Sequence, residues 1–375
     1  MTMWIIILWV SMAIVAAAIA YVSSRVALLL PTDWIGQWGF MKRVLICLGA
    51  VLLAGGLISA CLDVVNAMVC VLYLALIWGA TDFVFYLLNK AFDISVAYPY
   101  IGMVAIGLTL AALSVGWYLN HQAWVTHYTL ITDKEVPPLK IAMFADVHLG
   151  TTFHADGFAE RLKKLQAQKP DIVFVVGDYV DDNTRREDML KGTQALGALK
   201  TKYGVYFVMG NHDKGYYHSA RRGFTKQDLI DTLEKVGVIV LEDDKRLLDD
   251  AFYIIGRQDA SVQQDGRGHR LSMDELTQDL DKNKLSLVLD HQPADFKNQQ
   301  GQVDVVLSGH THGGQLFPFN WVGKWMGAND SIYGHTRQKN TDFIVTSGLS
   351  SWAIQFKTGT RSEFVIIDIL STGKK

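Results

Sequence analysis

The sequence predicts an α/β domain, its sheets packed between layers of helices, preceded by a bundle of four transmembrane helices. Three observations carry that prediction. Four apolar stretches crowd the first 120 residues, each long enough for a bilayer core that asks for roughly 20 mainly apolar residues per helix. From Leu139 onwards, short apolar runs alternate with polar amphipathic ones, the pattern of buried strands and surface helices. Charge is as unevenly spread as hydropathy: up to Thr132 the chain carries only Asp33, Asp63, Asp82 and Asp93 against Arg25, Lys42, Arg43 and Lys90.

The four stretches are Met3 to Val22, Val44 to Leu62, Val64 to Leu88 and Val96 to Leu119. The first lacks a basic leader and three more follow it, so it is a membrane helix of a multi-pass anchor rather than a signal peptide. Only Asp63 separates the second and third, which predicts a helical hairpin with a very short turn. Basic residues are retained on the cytoplasmic side. Arg25, Lys42 and Arg43 flank the first loop and Lys90 lies in the third, so both chain ends and the polar half are expected outside the cytoplasm. Asp82 sits within the third stretch, where a bare carboxylate is costly; Thr81 and Asn66 are its expected hydrogen-bonding partners. These groups are too few to line a transport pathway. Cys47, Cys61 and Cys70 all belong to the apolar part, which rules out a disulfide framework in the polar half and makes them small buried hydrophobes.

His121 to Pro138 reads as a linker closed by two prolines. Buried strands are expected at Leu139 to Ala145, Ile172 to Val176, Val205 to Met209, Leu285 to Leu289, Val303 to Leu307, Phe343 to Thr346 and Phe364 to Ile369. Helices are expected at Ala155 to Gln168, Glu187 to Leu199, Lys226 to Val236 and Met273 to Lys282, and Val238 to Ile255 reads as strands joined by turns. The plan is a four-helix anchor over 1–120, a linker over 121–138 and one α/β domain over 139–375. That domain is near neutral with mixed signs, which gives no reason to expect a nucleic-acid partner.

Five of the strands run straight into groups able to bind metal: Asp146-Val147-His148, Gly177-Asp178, Gly210-Asn211-His212-Asp213, His291 and Gly309-His310-Thr311-His312. Singly, each has an ordinary explanation as a helix cap or a turn. Together they point to one crevice, because loops beyond the carboxyl ends of strands in an α/β sheet converge. A donor set of Asp, Asn and His without Cys suits Mn, Fe or Zn in a hydrolytic centre. Seven protein ligands exceed what one catalytic ion with an open position takes, whereas two divalent ions about 3.5 to 4 Å apart, sharing one carboxylate, absorb them.

The order DxH, GD, GNHD, H, GHxH resembles the calcineurin-like metallophosphoesterases over about Leu139 to Leu370. The longer forms ADVHLG, GDYVDD, GHTHGGQLFPF and TSGLSSW are similar to the membrane-associated bacterial phosphodiesterase-like branch. The resemblance implies a metallophosphoesterase-type double β-sheet sandwich flanked by helices. It implies that Asp146, His148 and His312 bind one ion, that Asn211, His291 and His310 bind the other, and that Asp178 bridges them. His212 would meet the phosphoryl oxygens or protonate the leaving group, with Asp213 orienting it and favouring its charged form. The expected activity is that of a membrane-anchored phosphohydrolase acting on phosphodiester or pyrophosphate bonds, with a phosphorylated small molecule or a lipid as substrate and membrane lipids as partners. Two alternatives stand beside it. One is hydrolysis of UDP-2,3-diacylglucosamine in lipid A synthesis, which is cytoplasmic and so opposed by the expected orientation; the other is a catalytically silent metal-binding scaffold, opposed by the intact ligand set.

Other residues are weighed on the same grounds. His154 is either a further site residue or the start of a helix, His218, His269 and His335 are expected solvated in loops, and His121 and His127 belong to the linker. Arg361 either contacts phosphate or pairs with Glu363. Phe317, Phe319, Trp321, Trp325 and Met326, in LFPFNWVGKWM after the double histidine, either fill a core or interface or form an aromatic wall dipping toward the bilayer.

Overall fold

The computed structural model describes residues 2–30, 39–216, 219–264, 266 and 268–373, with the backbone alone for 2–8 and 264. The chain divides into two compact units, Met1–Val115 and Gly116–Lys375.

The first unit holds α1 (Thr2–Ala27), α2 (Phe40–Cys61), α3 (Val64–Phe92) and most of α4 (Tyr98–His121), each long and apolar enough to cross a membrane. Leucines and aromatics such as Leu53, Leu57, Phe83 and Leu110 lie on the outside, as lipid-facing side chains do. Asp63 caps α3 by accepting from the backbone and side-chain nitrogens of Asn66. Asn66 is thereby used up, and it lies 16 residues, about 24 Å of helix, before Asp82. Thr81 bonds its own helix at Ile77. The expected partners of Asp82 are therefore replaced by others: the Tyr21 hydroxyl at 3.1 Å, the Tyr98 hydroxyl at 3.2 Å and Arg25 Nε at 3.2 Å. Cys47 is buried as expected, but Cys61 is exposed.

The second unit carries, in chain order, β1 (Trp124–Thr132), β2 (Leu139–Phe144), α5 (Ala155–Gln166), β3 (Ile172–Val176), α6 (Arg186–Gly197), β4 (Val205–Val208), α7 (Lys226–Lys235), β5 (Val238–Val240), β6 (Asp244–Leu248), β7 (Phe252–Gly256), α8 (Ser261–Gln264), α9 (Met273–Thr277), β8 (Leu285–Leu289), α10 (Phe296–Gln299), β9 (Val305–Ser308), α11 (Val322–Trp325), β10 (Gly334–Gln338), β11 (Thr341–Val345) and β12 (Glu363–Ser371). Among the described residues these strands form two six-stranded sheets, ordered β1-β12-β2-β3-β4-β5 and β10-β11-β9-β8-β7-β6. Parallel pairs make the centre of each sheet, and antiparallel ones join β12 to β2, β10 to β11 and β6 to β7.

Period-two alternation explains the layers. On β2, Ile141 and Met143 face the space between the sheets, where they meet Leu287, Leu289, Val305 and Leu307. Ala142 and Phe144 face the other way, onto Phe158 and Leu162 of α5 and Met189 of α6. Val288, Val306 and Phe343 bury the outer face of the second sheet against Met273, Leu276 and Phe296. Strands covered on both faces read as unbroken apolar runs, which is why they were visible in the sequence.

Where a linker is expected, residues 124–132 form β1, paired in parallel with β12 from Trp124↔Glu363 to Thr132↔Ser371. Its residues, WVTHYTLIT, have the β-branched and aromatic content of a half-buried edge strand, but polar residues at every second or third place break the apolar run. β10, GHTRQ, shows no apolar run either. The helix expected to reach Lys282 ends at Thr277, after a capping box between Ser272 and Glu275.

Candidate metal centre

The five strand ends meet. β2, β3 and β4 of the first sheet and β8 and β9 of the second present Asp146/His148, Asp178, Asn211/His212, His291 and His310/His312 at their carboxyl ends. Two groups result whose ligand atoms lie within 4.8 Å of one another: Asp146, His148 and His312, and Asp178, His291 and His310. Asp178 Oδ2 lies 3.1 Å from His291 Nε2 and 3.7 Å from His148 Nε2, so one carboxylate oxygen faces both groups.

The backbone is bent hard to achieve this. Asp146, His148, Asp178, His310 and His312 all have positive φ, between 40° and 72°, a conformation that holds in non-glycine residues only when the surroundings over-determine it. Here they do: Asp146 N donates to Gly177 O, His148 N to Asp178 O, and His310 N to the Asp146 carboxylate at 3.0 Å. The glycines before Asp178, Asn211 and His310 clear space for neighbouring ligands. A Cβ on Gly210 would lie 2.2 Å from Asp178 Oδ1, and one on Gly309 would lie 2.7 Å from Asp146 Oδ2. Gly210→Ala is therefore expected to displace Asp178 and destabilise the fold by about 1–3 kcal/mol; unchanged thermal stability and activity would show that the loop yields freely.

Whether these groups suit cations is answered by what they leave unused. Among the described residues both ring nitrogens of His148 and Asn211 Oδ1 are buried and make no hydrogen bond, a costly state for polar atoms, and the partner of His291 Nε2 is the Asp178 carboxylate at 3.1 Å. Each has a polar group at its far side, hydrogen-bonded for His291 and Asn211 and facing a carboxylate for His148. His291 Nδ1 meets Val176 O at 2.8 Å, Asn211 Nδ2 donates to the Tyr216 hydroxyl at 2.8 Å, and His148 Nδ1 lies 3.4 Å from Asp181 Oδ2. Such outer contacts orient ligands toward a metal. Burial pushes His310 down to about 4 and His312 well below its ordinary value, keeping both neutral, as ligands must be. Burial also pushes Asp146 up to about 6, the cost of an uncompensated carboxylate that a cation would relieve. For Asp178, burial works upward, but His291, His148 and His212 hold it well below the usual carboxylate range.

His212 stands beside both groups. Its backbone N donates to Asp178 Oδ1 at 2.8 Å, and its ring lies 5.0 Å from the His148 ring, 5.1 Å from Tyr216 and 5.3 Å from Trp352. The part expected of Asp213 needs correction. Its oxygens accept from the backbone N of Asp178, Val180 and Gly210 at 2.8 to 2.9 Å, so it binds the two loops together rather than holding the imidazole. Nor is His212 biased toward charge: burial pushes it below its ordinary value, against the pull of Asp178.

Several contributors were not legible as site residues. Asp181 lies inside the noted GDYVDD and its burial is opposed by His148 and the Asn183 amide, which keep it below the usual range. Asp181→Ala is expected to weaken metal binding by about 10–100-fold, read by titrating metal into the apo protein. Tyr216 gives no signal beyond its proximity to GNHD, and Trp352 closes the quoted TSGLSSW, which by itself assigns it no part in the site. Lys357 is fully buried, donating to Ser347 O and Gly348 O beneath the loop whose Ser350 N bonds Asp146 O. Burial pushes its amine down to about 7 against Asp146 and Glu363. The unfolded chain then binds the extra proton between about pH 7 and about pH 10, so stability rises with pH there. Wild type is expected to gain thermal stability on Lys357→Met across that window; a pH-independent difference would count against it.

The other residues fall outside the centre. His154 precedes α5 and bonds Asp188 at 2.8 Å. His335 is exposed as expected, though on β10 rather than in a loop, and bonds Asp342 at 2.8 Å. His269 is exposed, His127 is exposed on β1, and His121 stacks on Trp117. Arg361 neither reaches the centre nor pairs with Glu363; it packs over the Trp124 ring. His218 lies outside the described residues.

The profile of the calcineurin-like phosphoesterases matches residues 139–314. An uncharacterized metallophosphoesterase of Aquifex aeolicus is 34% identical over 55% of this chain and 77% of its own. One of Campylobacter jejuni is 29% identical over 82% of this chain and 79% of its own. A Danio rerio protein named as a transmembrane protein with a metallophosphoesterase domain is 27% identical over 63% of this chain and 56% of its own. Among solved structures, a dimetal phosphatase from Danio rerio aligns with 56% of this chain and 87% of its own, at 13% identity and a TM-score of 0.35. The fold and the converging strand ends are those of a metal-dependent phosphoester hydrolase. The chain belongs to the calcineurin-like metallophosphoesterases, and with its four apolar helices it is a membrane protein.

Proposed function

We propose that this protein is a membrane-anchored dinuclear-metal phosphohydrolase that cleaves phosphodiester or pyrophosphate bonds, including those of lipid-linked substrates, on the extracytoplasmic face. The observation that carries the reading is the pair of ligand groups facing one oxygen of Asp178. Asp146, His148 and His312 would hold one ion, and Asn211, His291 and His310 the other. Bound there, two divalent ions lower the pKa of water and neutralise phosphoryl oxygens. Asp178 keeps the two sites at a common edge. His212, neutral and half enclosed by Tyr216 and Trp352, offers a ring N–H to a phosphoryl oxygen or to the departing oxygen. Asp213 fixes the loops of Asp178 and Gly210 so that these groups hold register.

Supporting the extracytoplasmic placement are Arg25, Lys42, Arg43 and Lys90, which lie in the helix ends bordering the first and third loops, Lys90 in the last turn of α3 rather than in the loop itself. The same distribution disfavours a cytoplasmic substrate such as UDP-2,3-diacylglucosamine. Two measurements test the reading. Chelation should abolish hydrolysis of a chromogenic phosphodiester, and Mn, Fe or Zn should restore it with about two ions per chain; metal-independent turnover, or a single ion at full activity, refutes it. A reporter fused after Lys375 should be active outside the cytoplasm, and cytoplasmic activity reverses the placement and reopens the diacylglucosamine substrate.

A further inference from the structure

Leu316 to Met326 follows the double histidine directly, and burial is the ordinary fate of such aromatics. The structure places them outside. Trp325 is 80% exposed, Met326 70%, Phe317 60%, Phe319 58% and Trp321 51%. A contiguous apolar surface of this kind marks an interaction site.

Two observations within the second unit say what covers it. The segment is tied to the last turns of α4. Phe317 N donates to Thr358 Oγ1 at 3.0 Å and Thr358 N to Gln315 O, while Lys357 N donates to Gly116 O and Ser362 N to Leu119 O. Gly116 makes the approach possible, since a Cβ there would lie 2.7 Å from Thr358 Cγ2. The aromatic segment is thus held next to the end of a helix long and apolar enough to span a bilayer. That end itself bears two half-exposed aromatics, Trp117 and Tyr118, and Trp and Tyr at the ends of spanning helices sit at headgroup level. The one charge in Leu316–Met326 is Lys324, a cation on a flexible stem, suited to lipid phosphates.

The segment also leads to the metal centre. Gln315 donates to Ile354 O at 2.9 Å, two residues beyond Trp352, whose ring faces His212. We propose that Leu316–Met326 is a membrane-docking loop. Its aromatics, with Trp117 and Tyr118, seat in the headgroup layer of the bilayer that anchors the chain, and the metal centre beside it takes phosphate esters carried by lipids of that layer. The second half of this proposal rests on the phosphohydrolase reading above; the first half does not.

The four helices retain the chain in a bilayer whatever the loop does, so depth is the readout. The full chain with Cys47→Ala, Cys61→Ala, Cys70→Ala and Met326→Cys, carrying a nitroxide at 326, is placed in nanodiscs of phosphatidylcholine and phosphatidylglycerol. Collisions with lipid-dissolved oxygen are expected to exceed those with an aqueous nickel chelate. The reverse order overturns docking, and so does a nitroxide shielded from both with a cross-linked dimer, which would mean a second copy covers the loop. For the substrate class, Trp321→Ala/Trp325→Ala is expected to cut hydrolysis of a lipid phosphodiester in the same nanodiscs by about tenfold, the factor that about 1.4 kcal/mol represents. Hydrolysis of soluble bis-p-nitrophenyl phosphate should be unchanged. Equal loss on both substrates, or loss on neither, overturns the lipid assignment. Absence of any turnover by the wild-type chain refutes the phosphohydrolase reading itself, while the depth measurement still decides docking.

Discussion

Asp178→Ala is expected to empty both metal sites and abolish hydrolysis. The carboxylate serves three neighbours at once: Oδ2 faces His291 at 3.1 Å and His148 at 3.7 Å, and Oδ1 receives the His212 backbone N–H at 2.8 Å. Losing a group that only orients a ligand already costs about 10–100-fold in metal affinity, and Asp178 stands in contact with both ligand groups, so the loss should exceed that range. Asp178→Asn separates the contributions. It keeps an oxygen for the His212 N–H but removes the charge, so it should fold like the wild type and still bind metal poorly. Elemental analysis of the purified variants is the measurement. Two ions per chain in Asp178→Ala would remove Asp178 from the bridge.

His212→Ala should behave in the opposite way, retaining both ions while losing most turnover. Its ring lies beside His148, Tyr216 and Trp352, and neither ligand group includes it. A group acting on the departing oxygen contributes typically about 10²–10⁴-fold, and that is the expected drop in kcat. Leaving-group dependence distinguishes its two possible parts. If His212 protonates the departing oxygen, the loss should be large for an alkyl ester and small for a p-nitrophenyl ester, whose leaving group needs no proton. If the ring donates to a phosphoryl oxygen, both esters should lose equally. Because burial pushes the imidazole below its ordinary value, the neutral ring prevails near pH 7 and the second pattern is the expected one. Wild-type turnover in His212→Ala on both esters would sink the assignment altogether.

Those two variants test positions that were named from the sequence, and the reason they could be named is local. Asp146, Asp178, Asn211, His291, His310 and His312 each follow an apolar run, and each run is a strand buried on both faces. The hydrophobic effect acts on the run itself, so its ends are visible without knowing its neighbours. β1 and β10 escaped notice because an edge strand is stabilised by ladder bonds to a partner distant in the chain, β12 for the one and β11 for the other. The family resemblance implies that Asp213 orients His212, whereas its oxygens accept from the backbone N–H groups of Val180 and Asp178, which no spacing rule connects to it.

By itself, then, the sequence determined the four apolar helices, the strand–helix alternation and the candidate donors at five strand ends, because these depend on side-chain chemistry and on periodicity along one segment. The tertiary structure brought six donors into two groups that accord with the family resemblance, with one oxygen of Asp178 facing both, and it alone decided that Asp181, Tyr216 and Val176 O lie behind His148, Asn211 and His291 and that the aromatics after His312 lie outside the core beside the last turns of α4. Each of these is a contact between groups tens to hundreds of residues apart. Its geometry is set by how the two sheets pack, and a single segment carries no record of that packing.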